Sequence, residues 1–520
     1  MGANHLPPST SMLEQLAILR NFGGTALTTG LPDEVLLRFA RQDSRLPEAV
    51  QAAVEEFNRL RDEEPDLLAM DEETQISEIQ SGFVNFYPED AVNPYVALAA
   101  RGPWVVTLKG AVVHDSAGYG MLGFGHAPAS VLEAMSRKQV MANVMTPNIS
   151  QKRLYEALCR EIGHTRSSGC PMDRFLCLNS GSEAVSLAAR ISDINAKLMT
   201  DPGGRHASKQ IRFASLRGGF HGRTDRPAQF SDSSRSTYVR HLASFRDNDR
   251  LITVEPNDIE QLKQIFQWAD GNNVFIEGFF FEPVMGEGNP GLSISREFYD
   301  TARELTRAHG ALMVVDSIQA GLRAHGVLSI CDYPGFQDAA APDMEVYSKS
   351  LNAGQYPLSV LALREEVAAL YRKGIYGNTM TTNPRAMDVA CAVLHGITPA
   401  LRRNIRERGQ EFLDRLRDLQ RELGDRITGV QGTGLLFSLE LNSRLYKCYG
   451  ADSTEEYLRM NGCNVIHGGQ NSLRFTPYFG ITSDEIELVV NATRSALLNG
   501  PMRASASTPA STPASTAVAA

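Results

Sequence analysis

The 520-residue chain has no stretch of about 18 apolar residues, which excludes an ordinary membrane-spanning helix. It also has no block of lysines and arginines. With 51 basic against 60 acidic residues the net charge is −9, and no basic face offers itself to a nucleic acid. Paired cysteines are missing too. The seven that occur are an odd number, none forms a C-x-x-C pair, and neither Cys170 nor Cys177 has a neighbouring pair or histidine cluster. That excludes a zinc or disulfide framework and suits reduced thiols in a cytoplasmic protein. The start, MGANHLPPST, lacks the basic end and apolar centre of a secretion signal.

What is present is ordinary globular composition, 42% hydrophobic and 21% charged. The length predicts two or three domains sharing a core. Only the end is of low complexity: alternating Ala, Ser, Thr and Pro across 501–520 cannot build a core and predicts a disordered tail. Residues 11–89 predict several helices. Within them, PEAVQAAVEEFNRLRDEE opens on a proline and spaces Val50, Val54, Phe57 and Leu60 along one helical face. This stretch, within 1–92, carries no catalytic motif and predicts an added helical segment.

From Asn93 the texture changes. WVVTL and AVVHD predict a short hairpin about Lys109 and Gly110, where a lysine is expected to face solvent. Apolar runs then alternate with helical patterns: FLCL, IRFASL, FIEGFFFEPV, ALMVVD, MEVYS and LSVLAL. Short continuous runs between helices predict a mostly parallel sheet covered on both faces. Past Pro384 come a long charged helix over 399–423, then GVQGTGLLFSLELN, RFTPYF and a closing helix, which predict a smaller α+β domain. The expected divisions are 1–92, 93–150 (an interface part of the small domain), 151–384, 385–500 and 501–520.

Ligands of such sheets bind beyond the carboxyl ends of the strands. There, FLCL runs into Asn179, Ser180, Gly181 and Ser182 ahead of a helix: an anion site on free N–H groups, or a plain serine cap. ALMVVD ends in Asp316, a costly carboxylate unless a cation or donor meets it, or else a solvated strand end. MEVYS leads to Lys349, where a desolvated amine loses basicity and gains nucleophilicity. RGGFHGRT sets Phe220 and His221 between glycines that admit a flat ligand, although an aromatic beside a histidine is also ordinary packing. NTMTTNP offers Thr379, Thr381 and Thr382 in a polar turn. Each feature is ambiguous alone. As an ordered set, pyridoxal 5′-phosphate needs all of them: amides and hydroxyls for its phosphate, an aromatic face for its ring, a carboxylate for its pyridine nitrogen and a lysine for its aldehyde.

The sequence resembles the class III (ω-type) aminotransferases of the fold type I pyridoxal-phosphate enzymes over residues 93–498. The likeness rests on NSGSEA (179–184), FHGRT (220–224), EPVMGEG (282–288), VVDSIQAGLR (314–323), SKS (348–350), NTMTTNP (378–384) and RFTP (474–477). It implies an α/β fold with a seven-stranded-type sheet in a large domain. It makes Lys349 the Schiff-base lysine and proton carrier, and Asp316 the partner of the pyridine nitrogen. Gln319 would bond the phenolic oxygen, Phe220 would stack on the ring, and Gly181 with Ser182 would hold the phosphate. Ser180, His221 and Glu282 are likewise implied as cofactor-binding. Thr379 would reach the phosphate in the neighbouring subunit, making a homodimer the functional unit. Arg474 would bind a substrate carboxylate, and Glu287 would pair with it when that carboxylate is absent.

Four positions, in three segments, depart from the family pattern. Ser317 stands where an acidic residue follows the aspartate, Met285 where a glutamine follows the EPV segment, and Thr381 with Thr382 where the loop has two glycines. They border the substrate side. The resemblance implies transfer from an ω-amino acid, a basic amino acid or an amine to a 2-oxo acid such as 2-oxoglutarate or pyruvate. A racemase, aminomutase or decarboxylase would use the same groups, and local sequence does not separate them. A non-catalytic scaffold fits poorly with both Lys349 and Asp316 intact.

Overall fold

A computed structural model describes residues 11–140, 143–246 and 249–503. Most of the expected tail lies outside the described residues. Its third residue is bonded to the body, since Arg503 donates its N–H to Leu445 O at 2.8 Å and its Nε to Tyr446 O at 3.2 Å. Among the described residues no helix is long and apolar enough to cross a membrane.

Five helices open the chain: α1 (Met12–Arg20), α2 (Asp33–Ala40), α3 (Arg45–Glu63), α4 (Pro65–Ala69) and α5 (Glu72–Gln80). Helix α3 starts two residues before Pro47, not at it; a proline is tolerated there because first-turn N–H groups have no helical partner. Its face of Leu46, Val50, Val54 and Phe57 is buried against Trp104, Val106, Leu108 and Val112. Three strands follow, β1 (Ala97–Arg101), β2 (Trp104–Thr107) and β3 (Val112–Asp115); Trp104 and Val106 lie on β2, Leu108 just after it and Val112 on β3. The hairpin of β2 and β3 forms as predicted.

Lys109 departs from expectation. It is 5% exposed, and its ammonium donates to the carbonyls of Gly23 at 2.6 Å, Leu68 at 3.1 Å and Met70 at 2.5 Å. Helix ends of the added segment fold over the hairpin turn, and the lysine satisfies carbonyls that would otherwise be orphaned. Beside it Trp104 Nε1 donates to Asp43 Oδ2 at 2.7 Å, and Arg45 donates to both Asp43 and the hydroxyl of Tyr478.

The large sheet uses β4 (Arg174–Leu178), β5 (Gln210–Leu216), β6 (Leu251–Val254), β7 (Val274–Phe281), β8 (Leu312–Asp316), β9 (Met344–Tyr347) and β10 (Ser359–Leu363). Their order is β4-β10-β9-β8-β7-β5-β6. All neighbours are parallel except those of β10, which runs against both β4 and β9. Six of these strands coincide with the apolar runs read from sequence. The edge strand β6 is short and set between charged residues, and was not among them. Strand β7 is buried throughout, as a central strand between two helical layers must be.

The end of the chain adds β11 (Ile427–Thr433), β12 (Leu436–Leu441), β13 (Cys463–Asn464), β14 (Ile466–Gly468) and β15 (Ser472–Phe475). Four of them make an antiparallel sheet, β11-β12-β15-β14, against the predicted helix Pro399–Leu423 and the closing helix Ser483–Asn499. The fifth, β13, joins β3 in parallel and completes the N-terminal sheet.

Replacing Lys109 with Met should free α4 and α5 from the body. We expect a loss of about 2–4 kcal/mol from unpaired carbonyls, and protease cleavage within residues 64–92 at doses that spare the native chain. A native cleavage pattern and melting temperature would show that the lysine does not hold the segment.

Candidate active site

The strand ends converge on a cavity of about 400 Å³. Asp316, 3% exposed at the end of β8, places Oδ2 2.9 Å from Nδ1 of His221, and its Oδ1 accepts from Ile318 N at 3.1 Å. The carboxylate predicted to need a partner therefore has one, and His221 is more than aromatic packing. Glu282, at the end of β7, accepts from Phe220 N and Gly286 N, both at 2.9 Å. Both its oxygens are engaged by backbone, so in this chain it braces two walls of the cavity. Burial pushes its carboxyl up to about 7.

Lys349 follows β9 with φ +44°, in the left-handed region that a side-chain-bearing residue enters at a cost. Its ammonium donates to Gln319 Oε1. Burial of the amine lowers its pKa to about 8, with the charge of Arg474 acting in the same direction. Gln319 keeps a buried Nε2 with no partner. A side chain at Gly286 would collide with Gln319, so the glycine fixes where this amide sits.

The phosphate-type turn satisfies both of its readings. Ser180 is the N-cap of helix Gly181–Thr200, its hydroxyl accepting from Glu183 N at 3.3 Å. That leaves the first-turn N–H groups of Gly181 and Ser182, which line the cavity at the positive end of a 20-residue helix. A Cβ on Gly181 would stand 2.6 Å from Ile318 Cδ1, so backbone alone fits here.

Glu287 lines the cavity and Arg474 lies behind it, 4% exposed on β15. Arg474 Nη1 donates to Gly286 O and stands 3.2 Å from Glu287 Oε2. Burial alone would raise the Glu287 carboxyl, but Arg474, Lys349 and Arg223 outweigh it and hold the pKa below the usual range. Thr379 is not brought to this cavity: it is exposed, and its carbonyl accepts from Val144 N at 3.1 Å.

Several lining residues went unread in the sequence. Ile318 lies between Asp316 and Gln319, and Met121 and Tyr356 reach the cavity from distant segments. Arg223 was quoted only as part of FHGRT. Its guanidinium lies over the rings of Phe220 at 5.2 Å and Phe86 at 5.6 Å, with Glu287 3.6 Å away.

Residues 86–497 match the family model for class III aminotransferases. The chain belongs to this family. Among curated relatives of this aminotransferase, an ornithine aminotransferase from Staphylococcus epidermidis is 28% identical over 410 residues, covering 77% of this chain and 94% of that one. Among solved structures, the ornithine aminotransferase of Toxoplasma gondii superposes with TM-score 0.68 at 24% identity, covering 84% of this chain and 98% of the other. The acetylornithine aminotransferase of Elizabethkingia anophelis gives 0.65 at 24%, covering 82% and 99%. These structures share the fold type I architecture.

Pyridoxal phosphate is the cofactor of this aminotransferase, and the residues present fit it. The cavity holds an unpartnered amide donor on Gln319, two free N–H groups at a helix start, a buried carboxylate and a lysine of lowered pKa. Because the lysine must be neutral to attack an aldehyde, uptake of pyridoxal phosphate by the apoenzyme should accelerate as pH rises through about 8. Stopped-flow absorbance across pH 6–11 checks this. A midpoint near the ordinary lysine value would show that the amine is not desolvated.

Proposed function

We propose that this aminotransferase moves an amino group from an ω-amino acid, a basic amino acid or an amine to a 2-oxo acid such as 2-oxoglutarate or pyruvate, in ping-pong fashion. The observation that carries this reading is the Arg474 and Glu287 pair beside Lys349. A ping-pong enzyme must admit two different substrates to one pocket in turn. A guanidinium with its own removable carboxylate does that: Glu287 covers Arg474 while the donor binds, and an incoming carboxylate takes its place. Arg223, outside the cavity wall, stands 3.6 Å from the other oxygen of Glu287 and adds a second guanidinium beside that carboxylate. Two cations about one carboxylate suit a donor whose carboxylate lies far from the reacting amine.

Pyridoxal phosphate, when bound, supplies the electron sink that makes the substrate carbon acidic. Lys349 Nζ takes the proton from that carbon and returns it across the transfer, a task suited to an amine titrating near 8. Asp316, held by His221, would accept a hydrogen bond from the protonated ring nitrogen and keep it charged. Gln319 Nε2 would donate to the phenolic oxygen, Gly181 and Ser182 to the phosphate beside the capping Ser180, and Phe220 would cover one ring face. Glu282 and His221 keep these groups in place from behind.

A homodimer is part of the reading. Thr379 lies outside its own cavity, next to exposed Val144, Met145 and Met380. A second copy seated there would bury those apolar side chains and bring Thr379 to its phosphate. The seven free thiols suit a cytoplasmic setting. The divisions 1–92, 93–150, 151–384 and 385–500 remain our description of the domains.

Lys349→Ala should abolish turnover and the yellow colour of the loaded enzyme while the chain still folds; retained turnover would remove this lysine from the mechanism. In the native enzyme an amino donor alone should bleach that colour and a 2-oxo acid restore it. A shift without bleaching would point to a racemase or mutase. Arg474→Ala should weaken 2-oxo acid binding by roughly 2–5 kcal/mol, far more than binding of an uncharged amine. Equal losses measured as KM for the two substrates would refute the carboxylate assignment.

A further inference from the structure

A further buried carboxyl group lies behind the cavity, and no cation pairs with it among the described residues. Glu345, on β9, has no exposed surface. Its Oε1 accepts from Ser317 Oγ at 2.6 Å and from Ile330 N at 2.9 Å, and its Oε2 accepts from Ser329 Oγ at 2.6 Å. The surrounding side chains include Tyr299, Tyr333, Tyr347 and Cys331, each with its own pKa raised by burial. Taking a carboxylate into such surroundings is costly even with donors around it. Burial raises the pKa of the Glu345 carboxyl against the pull of its donors, and an apolar side chain would fill the space at lower cost, so a carboxyl group here calls for a reason.

The register supplies one. Glu345 pairs with Val315, one residue before Asp316. Its first donor, Ser317, is the next residue after Asp316 and the place where the family pattern has an acid. From Ser317 the chain turns sharply: Ser317 O accepts from Gly321 N at 2.8 Å, and Ile318 N donates back to Asp316. That turn presents Asp316, Ile318 and Gln319 to the cavity. The same carboxylate also holds Ser329 and Ile330, at the far end of the loop that the turn begins. A carboxyl group carried on β9 thus holds the residue directly after β8, at the position where the family pattern has an acid of its own.

We propose that Glu345 is a positioning residue for the transamination read above: acting through Ser317 and Ile330, it fixes the turn that sets Asp316 and Gln319 at their cofactor distances. This rests on the assignment of Asp316 and Gln319 to the cofactor. It does not depend on which donor or acceptor is used.

A transposed pair tests it. Glu345→Ser removes the carboxylate, and S317E with E345S returns one to the same space from the residue after β8. Apoenzyme is prepared for each, and pyridoxal phosphate affinity is titrated by absorbance. Visible circular dichroism of the saturated protein and the melting temperature of the apoenzyme are recorded alongside. We expect Glu345→Ser to weaken cofactor binding at least tenfold and change the dichroism per bound cofactor, and the double variant to recover affinity to within threefold with a native spectrum. Glu345→Leu, which fills the space but removes the acceptors for Ser317 and Ile330, serves in its place if the serine variant does not fold, with the same expectations for affinity and spectrum. Binding within twofold of native in the single variant overturns the proposal. So does a loss of melting temperature with an unaltered spectrum, or a double variant no better than the single. If the native chain itself takes up no pyridoxal phosphate, the cofactor assignment fails first and takes this role with it.

Discussion

A carboxylate buried at the end of a strand has to be balanced, and the balance struck at Asp316 organises the pocket. Its partner is His221, in the loop after β5. The residue before that histidine donates its N–H to Glu282 at the end of β7. Glu282 in turn holds Gly286, whose carbonyl accepts from Arg474 on the C-terminal sheet. Charge and hydrogen bonding thus run unbroken through the ends of three strands of one sheet into another. In a medium of low polarity such bonds are strong when complete and costly when one is missing. The pocket is therefore specified as a unit, and its walls cannot shift independently.

Lys349 is the counterpoint. It is held at a positive φ, and its amine is made less basic by burial and by a guanidinium. Both features oppose stability and both serve a reactive amine that must stay partly neutral. The protein tolerates them because the surroundings are rigid: strands on either side of β9, and glycines that let Gln319 approach closely.

The parts of this arrangement that could be read from the sequence are those made by neighbours in the chain. Six of the seven strands appear as short apolar runs, the central ones because they are buried on both faces and the edge strand β4 because FLCL is itself apolar, and Asp316, Lys349 and the serine-capped turn stand out as polar residues directly after them. The other edge strand, β6, set between charges, gives no such signal. What escaped depends on pairings between remote segments. Lys109 looks like a turn lysine until Gly23, Leu68 and Met70 are folded over it. Arg223 becomes part of the site only where Phe86, Phe220 and Glu287 meet. Glu345 sits unremarked inside a run whose next residues draw the eye, and its meaning lies in Ser317, just past the end of the adjoining strand.

The pairing of β3 with β13 joins Asp115 to Asn464, so the first sheet of the chain takes its last strand from near the end. During synthesis the N-terminal helices and their hairpin emerge early, yet the edge of β3 stays open until more than three hundred further residues have left the ribosome. An open edge of that kind is a template for wrong partners. The added helices, anchored through Lys109 on one face of that same sheet, give the waiting strands a covered surface in the interval. For this chain the order of manufacture and the order of closure run in opposite directions, and the first ninety residues act as company for a strand that must wait.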